Sequence, residues 1–198
     1  MIKYLVAFKR RHPKAWSLVE CINGSLFRLR YGRVGKAAEP VLADCSAAGC
    51  SFSLAEEEDL PALENFLASQ DEENLKWFQP HAFDLASLRK LYRNPSFLMM
   101  KVTGPEGQLT GYFFLRCFFV GRAFAGLVVD RAWQNRGIGT QIWQAEAAIC
   151  NTLGLRMQAT ISKDNKPSIV SCRKGTRVHE LEMLEDGYMA VECKMKTI

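Results

Sequence analysis

Gln134-Asn135-Arg136-Gly137-Ile138-Gly139-Thr140 is the stretch whose residue types and spacing point most directly to chemistry. It follows the apolar run 124–129 through a short polar segment. It opens a helical pattern in which Ile138, Ile142, Ala145, Ile149 and Leu153 recur at spacings of three and four. Glycines at a strand-to-helix turn let backbone N–H groups face inward with no Cβ in the way. Those groups sit at a helix N-terminus, where partial positive charge collects. The expected ligand is a phosphate or pyrophosphate. A P-loop is excluded, because no Gly-x-x-x-x-Gly-Lys-Ser/Thr run exists. A dinucleotide fingerprint fails at Ile142, where it needs a third glycine.

Other residues are candidates one at a time. Asn165-Lys166-Pro167-Ser168 reads as a cap and proline-bearing first turn of a late helix. His81, in a loop beside Pro80, is the candidate base, since imidazole titrates near neutral pH; the competing reading is a hydrogen-bonded loop histidine. Trp77, Tyr112 and Arg116 are candidate contacts to a small polar ligand. Arg116 suits a phosphate held by paired hydrogen bonds, in competition with an ordinary salt bridge. Three scattered histidines and seven cysteines without a Cys-x-x-Cys pair suggest no metal site. The odd cysteine count with no framework points to reduced thiols and a cytoplasmic location.

These residues must be positioned by the surrounding elements. Residues 51–54 read as a first strand, then helices near 60–67, 72–78 and 85–92, with Asp84 as an N-cap. Strands near 97–102, 109–120 and 123–129 form an antiparallel meander that feeds the glycine turn. After the long helix, a strand at 156–161 implies a right-handed parallel crossover. A short helix and a hairpin, 177–183 with 188–195 across the turn Glu185-Asp186-Gly187, close the chain.

The pattern Gln-x-x-Gly-x-Gly after an apolar strand, followed by Asn-x-x-Ser after the next strand, resembles the GNAT superfamily of acyl-CoA-dependent N-acyltransferases. The element order is similar over residues 51–198. The resemblance implies an α/β fold whose mixed sheet is mostly antiparallel, with one parallel β-α-β crossover and flanking helices. It implies acetyl-CoA as co-substrate, with residues 134–140 on the pyrophosphate and Asn165 and Ser168 flanking CoA. The backbone of Leu127, Val128 and Val129 would pair with the pantetheine arm like an added strand. The implied reaction is direct transfer of an acetyl group to a primary amine of a small polar acceptor, such as an amino sugar of surface-polysaccharide synthesis. The alternatives are a protein or peptide N-acetyltransferase, or a CoA-binding module without activity. One departure matters. Many members carry a tyrosine in the late helix as the acid for the leaving thiolate, and here that stretch is Val170-Ser171-Cys172-Arg173-Lys174-Gly175-Thr176.

Composition divides the chain in two. Residues 1–36 hold nine basic residues and one acid, Glu20, a net +8 within a chain of +5; the remainder is therefore mildly acidic at −3. The expected organisation is a basic N-terminal extension and linker, 1–50, attached to an acetyltransferase domain, 51–198. In the extension, Ile2, Leu5 and Val6 begin an apolar face, Trp16, Val19 and Ile22 continue at helical spacing, and Asn23-Gly24 ends the helix. Residues 35–50 read as a linker. The favoured arrangement packs the apolar helix face on the body and leaves the basic face solvated. The alternative is peripheral contact of residues 1–36 with an anionic surface. No stacking aromatic array accompanies the charge, which argues against nucleic acid as partner. No run long enough for a membrane span occurs, and nothing in the sequence sets the oligomeric state.

Overall fold

Strand β4 (Leu109–Phe118) and strand β5 (Arg122–Val129) are apolar on both faces, as expected for strands covered on two sides. The computed structural model describes residues 13–32, 34–184 and 187–196. The apolar face expected at Ile2, Leu5 and Val6, together with His12 and the turn residues Glu185 and Asp186, lies outside the described residues. In chain order the elements begin with α1 (Pro13–Tyr31), α2 (Gly35–Ala43), β1 (Ser46–Ala47) and β2 (Cys50–Leu54). Three helices follow, α3 (Leu60–Ala68), α4 (Glu72–Leu75) and α5 (Leu85–Tyr92), then β3 (Phe97–Thr103), β4 and β5. The chain closes with α6 (Ile138–Thr152), β6 (Arg156–Ser162), α7 (Lys166–Gly175), β7 (Thr176–Met183) and β8 (Tyr188–Met195).

The strands form one sheet in the order β1-β2-β3-β4-β5-β6-β8-β7. Every neighbouring pair is antiparallel except β5 and β6, which α6 connects as a parallel crossover. Alternate residues of β4 feed two cores. Tyr112 and Phe114 meet Leu63, Leu67 and Leu88 of α3 and α5, while Phe113 and Leu115 meet Ile142 and Ile149 of α6 on the other face. Local signals fix the ends of the helices. Asp84 Oδ1 accepts from Ser87 N at 2.9 Å, Asp71 Oδ1 from Asn74 N at 2.7 Å, and Asn165 Oδ1 from Ser168 N at 3.2 Å.

The N-terminal region departs from the sequence reading in three ways. Helix α1 runs straight through Asn23-Gly24. Asn23 spends its amide outside the helix, donating to Ser96 Oγ and the Cys117 carbonyl at 3.0 Å and accepting from Phe119 N at 3.1 Å. Gly24 lets the loop 94–95 approach, since a Cβ there would sit 2.8 Å from Asn94 Oδ1. Residues 35–50, read as a linker, form α2 and the β1–β2 hairpin, with Ala38, Leu42, Cys45 and Cys50 in the main core. The helix orientation is also reversed. The side of α1 on the body carries Glu20, Asn23, Gly24 and Phe27, while Leu18, Val19, Ile22, Leu26 and Leu29 face outward.

Candidate active site

The site starts from a mismatch between two strands. β5 pairs with β4 along its whole length, from Arg122 opposite Phe118 to Val129 opposite Gly111. It pairs with β6 only at Arg122, Ala123 and Phe124, opposite Arg156, Met157 and Gln158. Beyond Gln158, β6 pairs only with β8. Among the described residues, the β5 edge from Ala125 to Val129 that faces β6 therefore carries no strand partner, and the facing edge of β6 from Ala159 to Ser162 carries none either. Leu127, Val128 and Val129 lie on this open edge, where an extended amide-bearing ligand can complete the ladder. Val128 and Val129 bury their side chains in opposite cores, so only backbone is offered.

The open edge leads into the glycine turn. After Val129 the chain makes a 3₁₀ turn at Arg131–Trp133, held by Asp130 Oδ1, which accepts from Ala132 N at 2.9 Å. Asn135 and Gly137 both take the left-handed conformation, with φ of 60° and 86°. Two such residues within three reverse the chain and aim it into α6. No side chain caps α6, so the first N–H groups, at Ile138, Gly139 and Thr140, are presented without a protein acceptor from the cap position. A Cβ at Gly137 would meet nothing within 4 Å; the space above the turn is open. Arg136 is exposed, its guanidinium carbon 4.7 Å from the Trp133 ring centroid. Together these fit a diphosphate with a pantetheine tail. Helix dipole and N–H groups meet the anion, Arg136 adds charge, and the open strand edge takes the amides.

Gln134 does not point at a ligand. Its Nε2 donates to Asn74 Oδ1 at 2.7 Å and to the Val129 carbonyl at 3.1 Å. Asn74 Nδ2 donates to Gln70 Oε1 at 2.7 Å and to the same Val129 carbonyl at 3.1 Å. Gln70 Nε2 in turn donates to Asp130 Oδ2 at 3.2 Å. The Val129 carbonyl, expected to serve a ligand, is thus already taken. Gln70 and Asn74 tie α3 and α4 to the turn; sequence reading missed them because Asn74 and Gln134 are separated by 60 residues.

Helix α7 flanks the other side. Asn165 serves as the cap already described, taking the Ser168 N–H. Ser171 lies against Gly139, 3.7 Å from where a Cβ would stand. Gly175 lets α7 close on α6, since a Cβ there would lie 2.7 Å from the Thr140 carbonyl oxygen. Cys172, in the helix where the family often has its tyrosine, is 1% exposed. Its Sγ lies 3.5 Å from Cys193 Sγ and 3.6 Å from Thr176 Oγ1. Cys193 donates toward Cys172, which lowers the Cys172 thiol and, with burial, raises that of Cys193. Both thiols are buried.

The acceptor candidates come together only in part. His81 Nδ1 lies 2.8 Å from the Ala82 carbonyl and Nε2 lies 2.9 Å from the Tyr112 hydroxyl. A carbonyl only accepts, so Nδ1 carries the proton and Nε2 accepts from Tyr112. The rings of Phe83, Phe97, Tyr112 and Phe114 surround the imidazole. Tyr112 is fully buried, and burial holds its hydroxyl well above the ordinary phenol range. It therefore offers no surface to an acceptor. Arg116 donates to Glu20 Oε1 of α1 at 3.0 Å and stacks on Phe97 at 5.5 Å, so the salt bridge weighed against the phosphate contact is the one present. Trp77 is half-buried, with Lys76 Nζ 4.9 Å from its ring centroid. Among the described residues no cluster of His, Cys, Asp and Glu suits a metal, and no helix is long and apolar enough to cross a membrane.

This geometry has counterparts among known proteins. Residues 53–171, more than half of the chain, match the Acetyltransferase (GNAT) family profile. No curated protein sequence matches. Among solved structures, the GNAT domain of S. lividans PAT superposes with a TM-score of 0.61 at 16% identity, over 75% of this chain and 95% of that one. RimJ of Mycobacterium smegmatis, in complex with CoA-disulfide, gives 0.60 at 18%, over 76% and 85%. AAC(6')-Ib, in complex with paromomycin and acetyl-CoA, gives 0.58 at 16%, over 75% and 94%. With the family profile spanning strands β3 to β6, the open edge and the glycine turn, the chain belongs to the acetyltransferase (GNAT) family, the acyl-CoA-dependent N-acetyltransferases.

Proposed function

We propose that this protein moves the acetyl group of acetyl-CoA to the primary amine of a small polar acceptor in the cytoplasm. The observation that carries the reading is the open β5 edge running into the uncapped start of α6. The amine nitrogen attacks the thioester carbonyl carbon, the C–N bond forms, the C–S bond breaks, and CoA leaves as thiolate while the amine gives up a proton. Holding amine and thioester together supplies roughly 7–11 kcal/mol of the barrier reduction. A general acid or base supplies roughly 10²–10⁴-fold, or about 3–5 kcal/mol. The lack of the late-helix tyrosine therefore removes the smaller contribution. Seven unpaired cysteines, six of them buried, suit a reducing compartment.

The acceptor class is an amino sugar in this reading. Similar folds carry both kinds of acceptor in their names, an aminoglycoside acetyltransferase and a ribosomal-protein-S5-alanine acetyltransferase. The fold alone does not choose between them. A panel of nucleotide-linked amino sugars, aminoglycosides, polyamines and peptides, assayed for CoA release, decides it. Turnover of peptides with none of amino sugars defeats the choice of acceptor. The missing tyrosine favours a second reading, a CoA-binding module without activity; calorimetric binding of acetyl-CoA with no thiol release across the panel would establish it.

A further inference from the structure

Helix α1 is built inside out. Its side on the domain is largely polar. Glu20 meets Arg116 at 3.0 Å, and Asn23 makes three bonds to the loop before β3 and the end of β4. Phe27 is the one large apolar residue buried there among the described residues. The outward side is apolar. Leu18, Ile22, Leu26 and Leu29 recur at spacings of four, four and three, and Val19 sits beside them. Leu29 is 85% exposed, Leu18 62% and Ile22 52%. The β4–β5 turn extends the patch. Phe119 and Val120 are exposed, and Arg30 fastens them to the helix by donating to the Phe119 carbonyl at 2.9 Å. A contiguous apolar surface of this kind marks an interaction site.

The charge around the patch selects its partner. Arg28 and Arg30 are exposed on α1, and residues 1–36 as a whole carry a net +8. The single acid of that region, Glu20, faces the body and is neutralised by Arg116. Two copies pressed patch to patch would bring like charges together, and a nucleic-acid backbone offers nothing to the leucines. An apolar stripe edged by cations matches the interface of an anionic bilayer, where leucines enter the acyl boundary and cations meet the headgroups. We propose that α1 and the β4–β5 turn form a peripheral docking face for an anionic lipid surface.

The test uses the full chain and vesicles of phosphatidylcholine alone or with one quarter phosphatidylglycerol. Flotation should recover the protein with the anionic vesicles and not with the neutral ones, and added salt should weaken the binding. Leu18→Glu with Leu29→Glu should weaken partitioning at least about tenfold, and Arg28→Gln should weaken it by a smaller factor. Both leucines are exposed, so these variants keep the fold, and unchanged acetyl-CoA affinity by calorimetry checks that. Cys21 is the one exposed cysteine and lies on α1 beside the stripe. An environment-sensitive dye on it should shift to the blue with anionic vesicles only. Absence of flotation, equal partitioning to both vesicles, or a dimer in light scattering that the double leucine variant dissolves would each overturn the proposal.

Discussion

A glycine just before α6 and a glutamate within it illustrate how differently single residues reveal themselves. Gly137 is legible because its demand is local: φ is 86°, and the added Cβ would meet only open space. Gly137→Glu therefore strains one dihedral and sets a negative charge where the proposed pyrophosphate would lie. Calorimetry should show acetyl-CoA affinity reduced at least about a hundredfold, some 3 kcal/mol, with the fold retained. Glu146 gave no signal in the sequence, where it reads as a polar position in an amphipathic helix. It is fully buried, neither carboxyl oxygen has a hydrogen-bond partner, and burial with the nearby Cys172 pushes its carboxyl well above the usual range. The folded state then holds a proton that the unfolded state has released, so stability falls as pH rises from the unfolded value of about 4.3 toward the folded one. Glu146→Gln cannot ionise. Urea titrations should find it more stable than the parent at pH 7, with the gap closing near pH 4. His81 sits between these cases. As the base it would take the amine's proton at Nε2 in place of the Tyr112 hydroxyl, and His81→Gln should lower kcat by roughly 10²-fold at unchanged acetyl-CoA affinity. A fall in melting temperature alone would leave it as a support for Tyr112.

At the scale of elements, the periodic and capped segments were legible and the tertiary exceptions were not. Helix α5 and strand β8 match their expected spans, because Asp84 starts the one and the other alternates in a closing hairpin. Helix α1 passes the Asn23-Gly24 break because both residues serve contacts to the loop before β3 and the end of β4, which no local rule contains. Helix α4, expected near 72–78, is confined to Glu72–Leu75, and no local signal announced that its Asn74 clamps the turn that follows β5. Asn74→Ala leaves the Val129 carbonyl and the Gln134 amide each one partner short, at about 1 kcal/mol per lost bond. The effect should fall on the site more than on the fold. KM for acetyl-CoA should rise about tenfold while the melting temperature drops by only a few degrees. A purely structural role would lower the melting temperature and leave KM alone. The Arg116–Glu20 pair belongs to the same class of long-range contact, 96 residues apart.

For the whole molecule, the question is whether residues 1–50 can be removed. Charge marks them as distinct, and the family profile begins only at residue 53. Packing says otherwise. Phe27, Val34, Ala38, Leu42, Cys45 and Cys50 belong to the same core as Phe113, Ile142 and Val191. Burial of Phe27, Val34 and Leu42 alone contributes about 1.5–3 kcal/mol each. That sum reaches the range of a whole domain's net stability, about 5–15 kcal/mol. Cutting before Ser51 also strips Arg116 of Glu20, takes Cys50 from β2, and uncovers the apolar face of β2 and β3 at Phe52 and Val102. A chain of residues 51–198 should therefore show no cooperative melting transition and no acetyl-CoA binding, while the full chain shows both. Acetyl-CoA, by binding only the folded form, should raise the full chain's transition and leave the shortened chain without one. A shortened chain that melts cooperatively as a monomer and binds acetyl-CoA with full affinity would make the boundary at residue 50 a true domain boundary. The main core would then have to close without α2, through a rearrangement of α6 over the exposed strands.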